Sequence, residues 1–416
     1  MNLSKDQIDA KNTILDWINS PRRSSYLTLG GYAGTGKSTL IAEVRKSLPD
    51  NWSVAFCAFT GKATSVMKEK LIKVNALNSN DVITTIHSLC YSVREDPDTK
   101  QKVFHRRPYL GHNLIIVDEA SMVNKDLFND LRYYRIPILF VGDHGQLPPI
   151  STDDFNLMST PVIKLEEVHR FEDNSTLLDL SIMARNGEDI PFKRFDEHVV
   201  KTNENDPIVN DFIVNNLGDF SNGICLCATN NTRVDVNQLI RLNYGIISDM
   251  DDKVPRVNDR IVCLRNNHGL VDPIYNGMLG TIRSIGTIKQ IEDIYSISAD
   301  MDDGFTYKGF VNREPFGQMK YNKDDGKEFI TIGELMRMKS KLTIFERKKM
   351  RKFGKKKLYY DSFDFGYCLT VHKSQGSEWG NVMLFEEVCG AWDDDYKRKW
   401  MYTAITRSNK NLLIIG

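Results

Sequence analysis

Residues 31–38, Gly-Tyr-Ala-Gly-Thr-Gly-Lys-Ser, leave this chain few choices of fold. A glycine, four residues and then Gly-Lys-Ser form a phosphate-binding loop, a device that needs a buried strand before it and a helix after it. Both flanks fit. Tyr26-Leu27-Thr28-Leu29 reads as a short buried strand, and residues 38–44, Ser-Thr-Leu-Ile-Ala-Glu-Val, read as a helix with an apolar stripe. Gly31, Gly34 and Gly36 let the backbone bend tightly, so that successive N–H groups converge on phosphate oxygens. The helix N-terminus adds partial positive charge. Lys37 is placed to reach the β- and γ-phosphates, and the Ser38 hydroxyl to hold Mg²⁺. Candidate nucleotide-binding residues are therefore Gly31, Gly34, Thr35, Gly36, Lys37, Ser38 and Thr39, and the cofactors they imply are ATP and Mg²⁺.

A second signal lies downstream. Leu114-Ile115-Ile116-Val117 reads as a strand that ends in Asp118-Glu119. In an open α/β sheet, functional groups gather at the carboxyl ends of strands. Asp118 is then a second Mg²⁺ ligand, and Glu119 orients and activates the attacking water. Paired acids at a strand end are common by chance; the phosphate loop gives this pair its meaning. A third strand, Ile138–Val141, runs into Gly142-Asp143-His144-Gly145-Gln146, which sets Gln146 to sense the γ-phosphate.

Composition limits the alternatives. The 416 residues suffice for about three domains of roughly 150 residues each. No run approaches the 18 or so apolar residues of a membrane span, and Met1–Asp6 has no apolar core of a secretory signal. The 7 cysteines include no Cys-x-x-Cys pair, so a reducing cytosol fits better than a disulfide framework or a structural zinc site. With 55 basic and 55 acidic residues, any nucleic-acid surface must be local. One such patch is Arg337–Lys357, where Lys and Arg outnumber the lone acid Glu346; a solvated helix face or a loop explains it equally well.

Strand, loop and helix alternate through the first 165 residues, with Val54–Ala58 as a further strand, which predicts a parallel sheet flanked by helices. Residues 90–112 interrupt it as a small hairpin. A second α/β region begins near Val162, with Ile224–Asn230 as its strongest strand signal. From Val254 to Tyr307 short strands alternate with Asn276-Gly277, Gly280, Gly286 and Asp303-Gly304, the spacing of a small β-barrel. The α/β pattern returns at Phe363 and continues to Gly416.

The motifs in this order resemble those of superfamily 1 helicases. Gly142-Asp143-x-x-Gln146-Leu147-Pro148-Pro149 is similar to motif III, Phe59–Ala63 to motif Ia and Thr85–Leu89 to motif Ib. Glu167–Arg170 resembles motif IV, Thr370–Trp379 the RecD form of motif V, and Tyr402–Arg407 motif VI. The chain resembles the 5′-to-3′ RecD/Dda group overall, nearest to the Dda type in its compact length, which points to a phage-encoded protein acting in a bacterial cytoplasm.

This resemblance implies two RecA-like P-loop NTPase domains, one of residues 1–89 with 113–165 and one of 166–255 with 361–416. A hairpin pin (90–112) is inserted in the first, and an SH3-like β-barrel with a basic arm (256–360) in the second. It implies Gln7 as an adenine contact, and Arg170 and Arg407 as arginines that reach the γ-phosphate from the second domain. A single-strand track would use Thr60, Lys62, Thr85 and His87 from the first domain and Thr370, His372 and Lys373 from the second, with Phe104 at the hairpin tip as a wedge. Asn276-Gly277 resembles the Asn-Gly turn of the family's SH3-like domain. The implied function is an ATP-dependent helicase acting as a monomer on single-stranded and fork DNA, with a single-strand-binding or replication/recombination protein as a further partner and no membrane. Two other readings remain at this level: an ATP-switched single-strand-binding module, and the motor subunit of a larger nuclease/recombination complex.

Overall fold

The computed structural model describes residues 3–95, 102–149, 155–168, 175–218, 220–267, 272–288, 291–319, 329–331, 357–387, 390 and 392–416. Arg170 and residues 337–356 of the basic stretch lie outside the described residues. The chain divides into two compact units, 1–209 with 374–416, and 210–373. Arg407 and the phosphate loop both fall in the first of these units.

The first unit opens with helix α1 (Lys5–Asn19) and strand β1 (Tyr26–Gly31), followed by α2 (Lys37–Lys46), β2 (Val54–Ala58), α3 (Gly61–Lys73), β3 (Val82–Thr85) and α4 (Ile86–Cys90). Next come β4 (Tyr91–Glu95), β5 (Lys102–Arg106), β6 (Leu114–Asp118), α5 (Lys125–Tyr133), β7 (Ile138–Gly142), β8 (Ile163–Leu165), α6 (Ser175–Asn186), β9 (Lys193–Arg194) and β10 (Val199–Thr202). Six strands form one sheet in the order β3-β2-β6-β7-β1-β8, paired in parallel. Successive residues of a strand face opposite sides, and β6 feeds two cores accordingly. Leu114 and Ile116 join Leu29, Leu40 and Phe56 on one face, while Ile115 and Val117 join Cys57, Leu127 and Phe140 on the other. A continuous apolar strand is what a sheet covered on both faces requires. A buried ion pair fixes the far end of α2: Arg45 Nε lies 2.7 Å from Asp81 Oδ2.

The expected hairpin is present as β4 and β5, in which Val93 pairs with Phe104. Phe104 is thus the middle residue of its strand, which corrects its expected place at the tip. The ladder continues past the aromatic residue to the pair Glu95↔Lys102, and residues 96–101 are outside the described set.

The second unit contains α7 (Pro207–Phe212, which begins before the boundary), β11 (Gly223–Cys227) and α8 (Asn230–Asn243). The strands β12 (Arg260–Cys263), β13 (Leu279–Ile288), β14 (Ile291–Met301) and β15 (Thr306–Asn312) follow, then β16 (Phe329–Thr331), β17 (Lys357–Tyr359), β18 (Asp361–Phe365) and β19 (Cys368–Thr370). The β-rich insertion is a closed barrel, β12-β13-β14-β15-β18, and β11 pairs in parallel with β19. Arg241 of α8 is wholly buried and spends all five N–H donors: on Asp259 twice, on Gln238 Oε1, and on the carbonyls of Asp252 and Val254. The chain then returns to the first unit with β20 (Trp379–Phe385), α9 (Asp394–Ile405) and β21 (Ser408–Ile415), where the sheet runs β20-β21-β10-β9. Among the described residues no helix is long and apolar enough to cross a membrane.

Candidate functional site

Because β1, β2, β3, β6 and β7 run parallel, their carboxyl ends share one edge of the sheet. The phosphate loop leaves β1 there and enters α2, whose N-cap Gly36 has φ 78°, while Gly34 has φ 83°. Such positive φ values cost glycine little and other residues much. Gly31 is required for a different reason: a Cβ there would come within 2.5 Å of Thr35 Oγ1. Thr35 is fully buried, and its hydroxyl closes the loop by donating to Tyr32 O at 2.9 Å. Lys37 Nζ donates to Gly31 O at 2.7 Å and Tyr32 O at 2.9 Å, so two of its three ammonium protons brace the loop and one is left for a ligand.

Glu119 follows β6 in left-handed backbone, φ 52°. Burial and the adjacent Asp118 carboxylate push its pKa above the ordinary glutamate value, while Arg407 and Lys37 pull it down. These two carboxylates and two cations therefore share one electrostatic environment. Asp118 Oδ1 accepts from the Glu119 N–H at 3.0 Å, and Ser38 Oγ lies 3.5 Å from Lys70 Nζ. A serine hydroxyl and a carboxylate are hard oxygen donors, the kind Mg²⁺ takes.

Arg407 follows α9, and its buried guanidinium is held by three acceptors, Thr403 O at 3.0 Å, Ser377 O at 3.0 Å and Thr406 Oγ1 at 3.1 Å. Burial lowers its pKa, with Glu119 and Asp143 opposing. Gln146 is buried; its Nε2 donates to Asp143 Oδ2 at 3.3 Å, and its Oε1 has no partner among the described residues. Gln7 is buried too. Its Nε2 donates to Thr35 O at 3.0 Å and its Oε1 accepts from Ser4 N at 3.1 Å, so this side chain ties α1 to the phosphate loop. Thr39 and Ser38 lie half-buried on the first turn of α2.

The proposed strand contacts divide into groups. Thr60 caps α3 by accepting from Ala63 N at 3.2 Å, and Thr85 caps α4 by accepting from Ser88 N at 3.2 Å. The register Ala58↔Thr85 sets these two loops side by side, and the Phe59 and His87 rings meet edge-on with centroids 6.1 Å apart. Thr85 is buried and also donates to Ser88 Oγ at 3.0 Å, so its hydroxyl serves the helix cap. Lys62 Nζ lies 5.0 Å from the centre of the Trp379 ring. In the other unit, Thr370 ends β19, and His372 and Lys373 lie in a 3₁₀ turn, Val371–Ser374. Burial lowers the His372 pKa to about 4, so it is neutral at neutral pH.

Sequence reasoning passed over Asp143 and Tyr402, although both fall inside quoted motifs. The Tyr402 hydroxyl accepts from Ala33 N at 2.9 Å and donates to Asp143 Oδ2 at 2.8 Å. Nearby, Thr403 Oγ1 accepts from Leu147 N at 3.0 Å, and Gln375 Nε2 donates to Leu147 O at 3.1 Å. Nothing in the sequence set them apart, because His144, Thr403 and Thr406 are polar residues of the same motifs that had no role either.

A glycine loop at one strand end, with acids and a glutamine at the next two, defines a P-loop NTPase fold of the α/β class. Residues 2–204 match the AAA domain family, and residues 365–415 match the UvrD-like helicase C-terminal domain. The chain is 24% identical over 423 residues to the ATP-dependent RecD2 DNA helicase of Deinococcus radiodurans, covering 97% of this chain and 48% of that protein. It is 27% identical over 146 residues to the RecBCD enzyme subunit RecD of Buchnera aphidicola, covering 31% of this chain and 24% of the relative. Among solved structures, the Pif1 helicase from Bacteroides in complex with ADP-AlF3 and ssDNA superposes with a TM-score of 0.56 at 17% identity, covering 100% of this chain and 92% of that one. The two family matches, with the likenesses to RecD2, RecD and Pif1, support a superfamily 1B helicase. It spans 24% and 48% of the lengths of the two curated relatives named here.

Proposed function

We propose that this chain is an ATP-dependent DNA helicase that translocates on single-stranded DNA from 5′ to 3′ and opens duplexes as a monomer. The observation that carries the reading is the placement of Lys37, Glu119 and Gln146 at one sheet edge, with Arg407 and Lys37 both felt by the Glu119 carboxyl. A loop that only bound nucleotide would need neither the base nor the guanidinium. In the proposed reaction the oxygen of a water molecule bonds to the γ-phosphorus while Glu119 accepts its proton. The bond to the β–γ bridging oxygen breaks, and ADP leaves with the electron pair. Lys37 and the two unspent N–H groups of Arg407 meet the charge on the transferring oxygens. Mg²⁺, held by Ser38 and Asp118, would neutralise phosphate charge when bound.

The strand path is assigned to the β2 and β3 ends, one strand away from Asp118 through the pairing Ala58↔Asp118. Contacts from Thr60, Lys62 and His87 there would hold phosphates without reading sequence. The test is ATP hydrolysis with and without oligonucleotides, alongside Lys37→Ala. Single-stranded DNA should stimulate wild-type turnover at least tenfold, with Lys37→Ala inactive in both conditions. Hydrolysis indifferent to DNA would overturn the strand path.

A further inference from the structure

We propose that Tyr402 is a positioning residue for ATP hydrolysis, acting through Asp143 to set Gln146 in register with the phosphate loop. The inference rests on the hydrolytic reading above and adds a residue to it. Tyr402 projects from α9 and is 2% exposed. Its ring meets Tyr32 of the phosphate loop edge-on, with centroids 5.9 Å apart. The same ring covers Gly145, where a Cβ would come within 2.9 Å of Tyr402 Cε1, so no larger residue fits beneath it.

The hydroxyl makes two bonds of defined direction. A backbone N–H can only donate, so Ala33 N donates to Tyr402 Oη at 2.9 Å. The single hydroxyl proton is then free to go to Asp143 Oδ2 at 2.8 Å. Asp143 is itself 1% exposed and distributes its oxygens over its own loop: Oδ1 accepts from Gly145 N at 2.9 Å, and Oδ2 also accepts from Gln146 Nε2 at 3.3 Å. A carboxylate can only accept, so the amide nitrogen of Gln146 must face it, and Gln146 Oε1 is turned away. That oxygen is buried and has no partner among the described residues. A buried carbonyl oxygen without a donor is costly unless a ligand supplies one, and a water molecule beside the γ-phosphate is a donor of the right kind. The chain Ala33 N–H, Tyr402 hydroxyl, Asp143 carboxylate and Gln146 amide thus links the loop that grips the phosphates to the group that faces the water.

Tyr402 touches neither substrate nor water in this scheme, so its effect must pass through Gln146. Tyr402→Phe keeps the ring and its packing and deletes only the hydroxyl. The experiment measures steady-state ATP hydrolysis at saturating single-stranded DNA for wild type, Tyr402→Phe, Gln146→Ala and the double variant. Binding of a non-hydrolysable ATP analogue and thermal midpoints are recorded for each. The expected result is a fall of tenfold or more in kcat for Tyr402→Phe, with KM for ATP and analogue affinity within threefold of wild type. The double variant should be no slower than Gln146→Ala alone. Losses that multiply in the double variant would overturn the proposal, as would an unchanged kcat or a change confined to KM. Should Tyr402→Phe melt far below wild type, Asp143→Asn tests the same link from the other side and should show the same split and the same non-additivity. A wild-type protein that hydrolyses no ATP would instead remove the hydrolytic reading itself, an outcome visible before any variant is compared.

Discussion

Replacing Arg407 with alanine should stop turnover while leaving nucleotide binding nearly intact, and the structure sets the size of the effect. A guanidinium carries five N–H donors, and three are spent on Thr403 O, Ser377 O and Thr406 Oγ1. Two are left for phosphate oxygens. A hydrogen bond to a charged group contributes about 1.5–3 kcal/mol, so the pair is worth about 3–6 kcal/mol. At about 1.4 kcal/mol per tenfold in rate, that is a loss of about 10² to 10⁴ in kcat. The lower part of the range for arginines in phosphoryl transfer, about 10³, falls inside it. Arg407→Lys keeps the charge and loses the fork, so it should recover part of this loss at most. Because Arg407 also holds the Ser377 and Thr403 carbonyls, thermal midpoints must accompany the kinetics. The assay is DNA-stimulated ATP hydrolysis under saturating ATP, with affinity for a non-hydrolysable analogue measured in parallel. A folded Arg407→Ala protein that turns over at the wild-type rate would refute the reasoning and remove Arg407 from the site.

Other expectations follow from individual residues. Glu119 works as a base only when ionised, and burial with Asp118 raises its pKa, so kcat should fall on acidification at a higher pH than for an ordinary glutamate. Because Arg407 lowers that pKa, Arg407→Lys should move the acidic limb less than Arg407→Gln, which should shift it to higher pH; a limb unmoved in both would separate the two residues. Asp259→Asn strands the buried Arg241 charge and should destabilise the second unit by about 3–5 kcal/mol in chemical denaturation. Lys62→Ala should reduce the salt slope of single-strand binding by about one. His372→Gln should leave that slope unchanged at neutral pH, because a histidine with a pKa of about 4 brings no cation.

The parts of the fold legible in sequence are those written in local pattern. Apolar runs such as Leu114–Val117 and Ile138–Val141 could only be covered strands, and the glycines of the phosphate loop fixed where β1 must end. Strand β3 went unrecognised because Val82 is exposed and Ile83 and Thr84 are only half-buried, so no apolar run marks it. The Phe104 position was misjudged because β-propensity does not say where a hairpin turns. In the site, Lys37, Glu119 and Gln146 were legible through spacing. Asp143 and Tyr402 were not, because their bond joins residues 259 positions apart and neither spacing nor composition encodes it. Gln7 was read as a ligand contact, and the structure adds a tether role, its amide held between Ser4 and Thr35.

In the proposed function, hydrolysis at this site drives movement along one strand and separates the other. Strand displacement on two matched partial duplexes, one with a 5′ single-stranded tail and one with a 3′ tail, tests it most directly, with Lys37→Ala as the control. ATP-dependent displacement is expected from the 5′-tailed duplex alone. Displacement from the 3′-tailed duplex alone would contradict the polarity, and ATP hydrolysis with neither duplex opened would contradict the helicase.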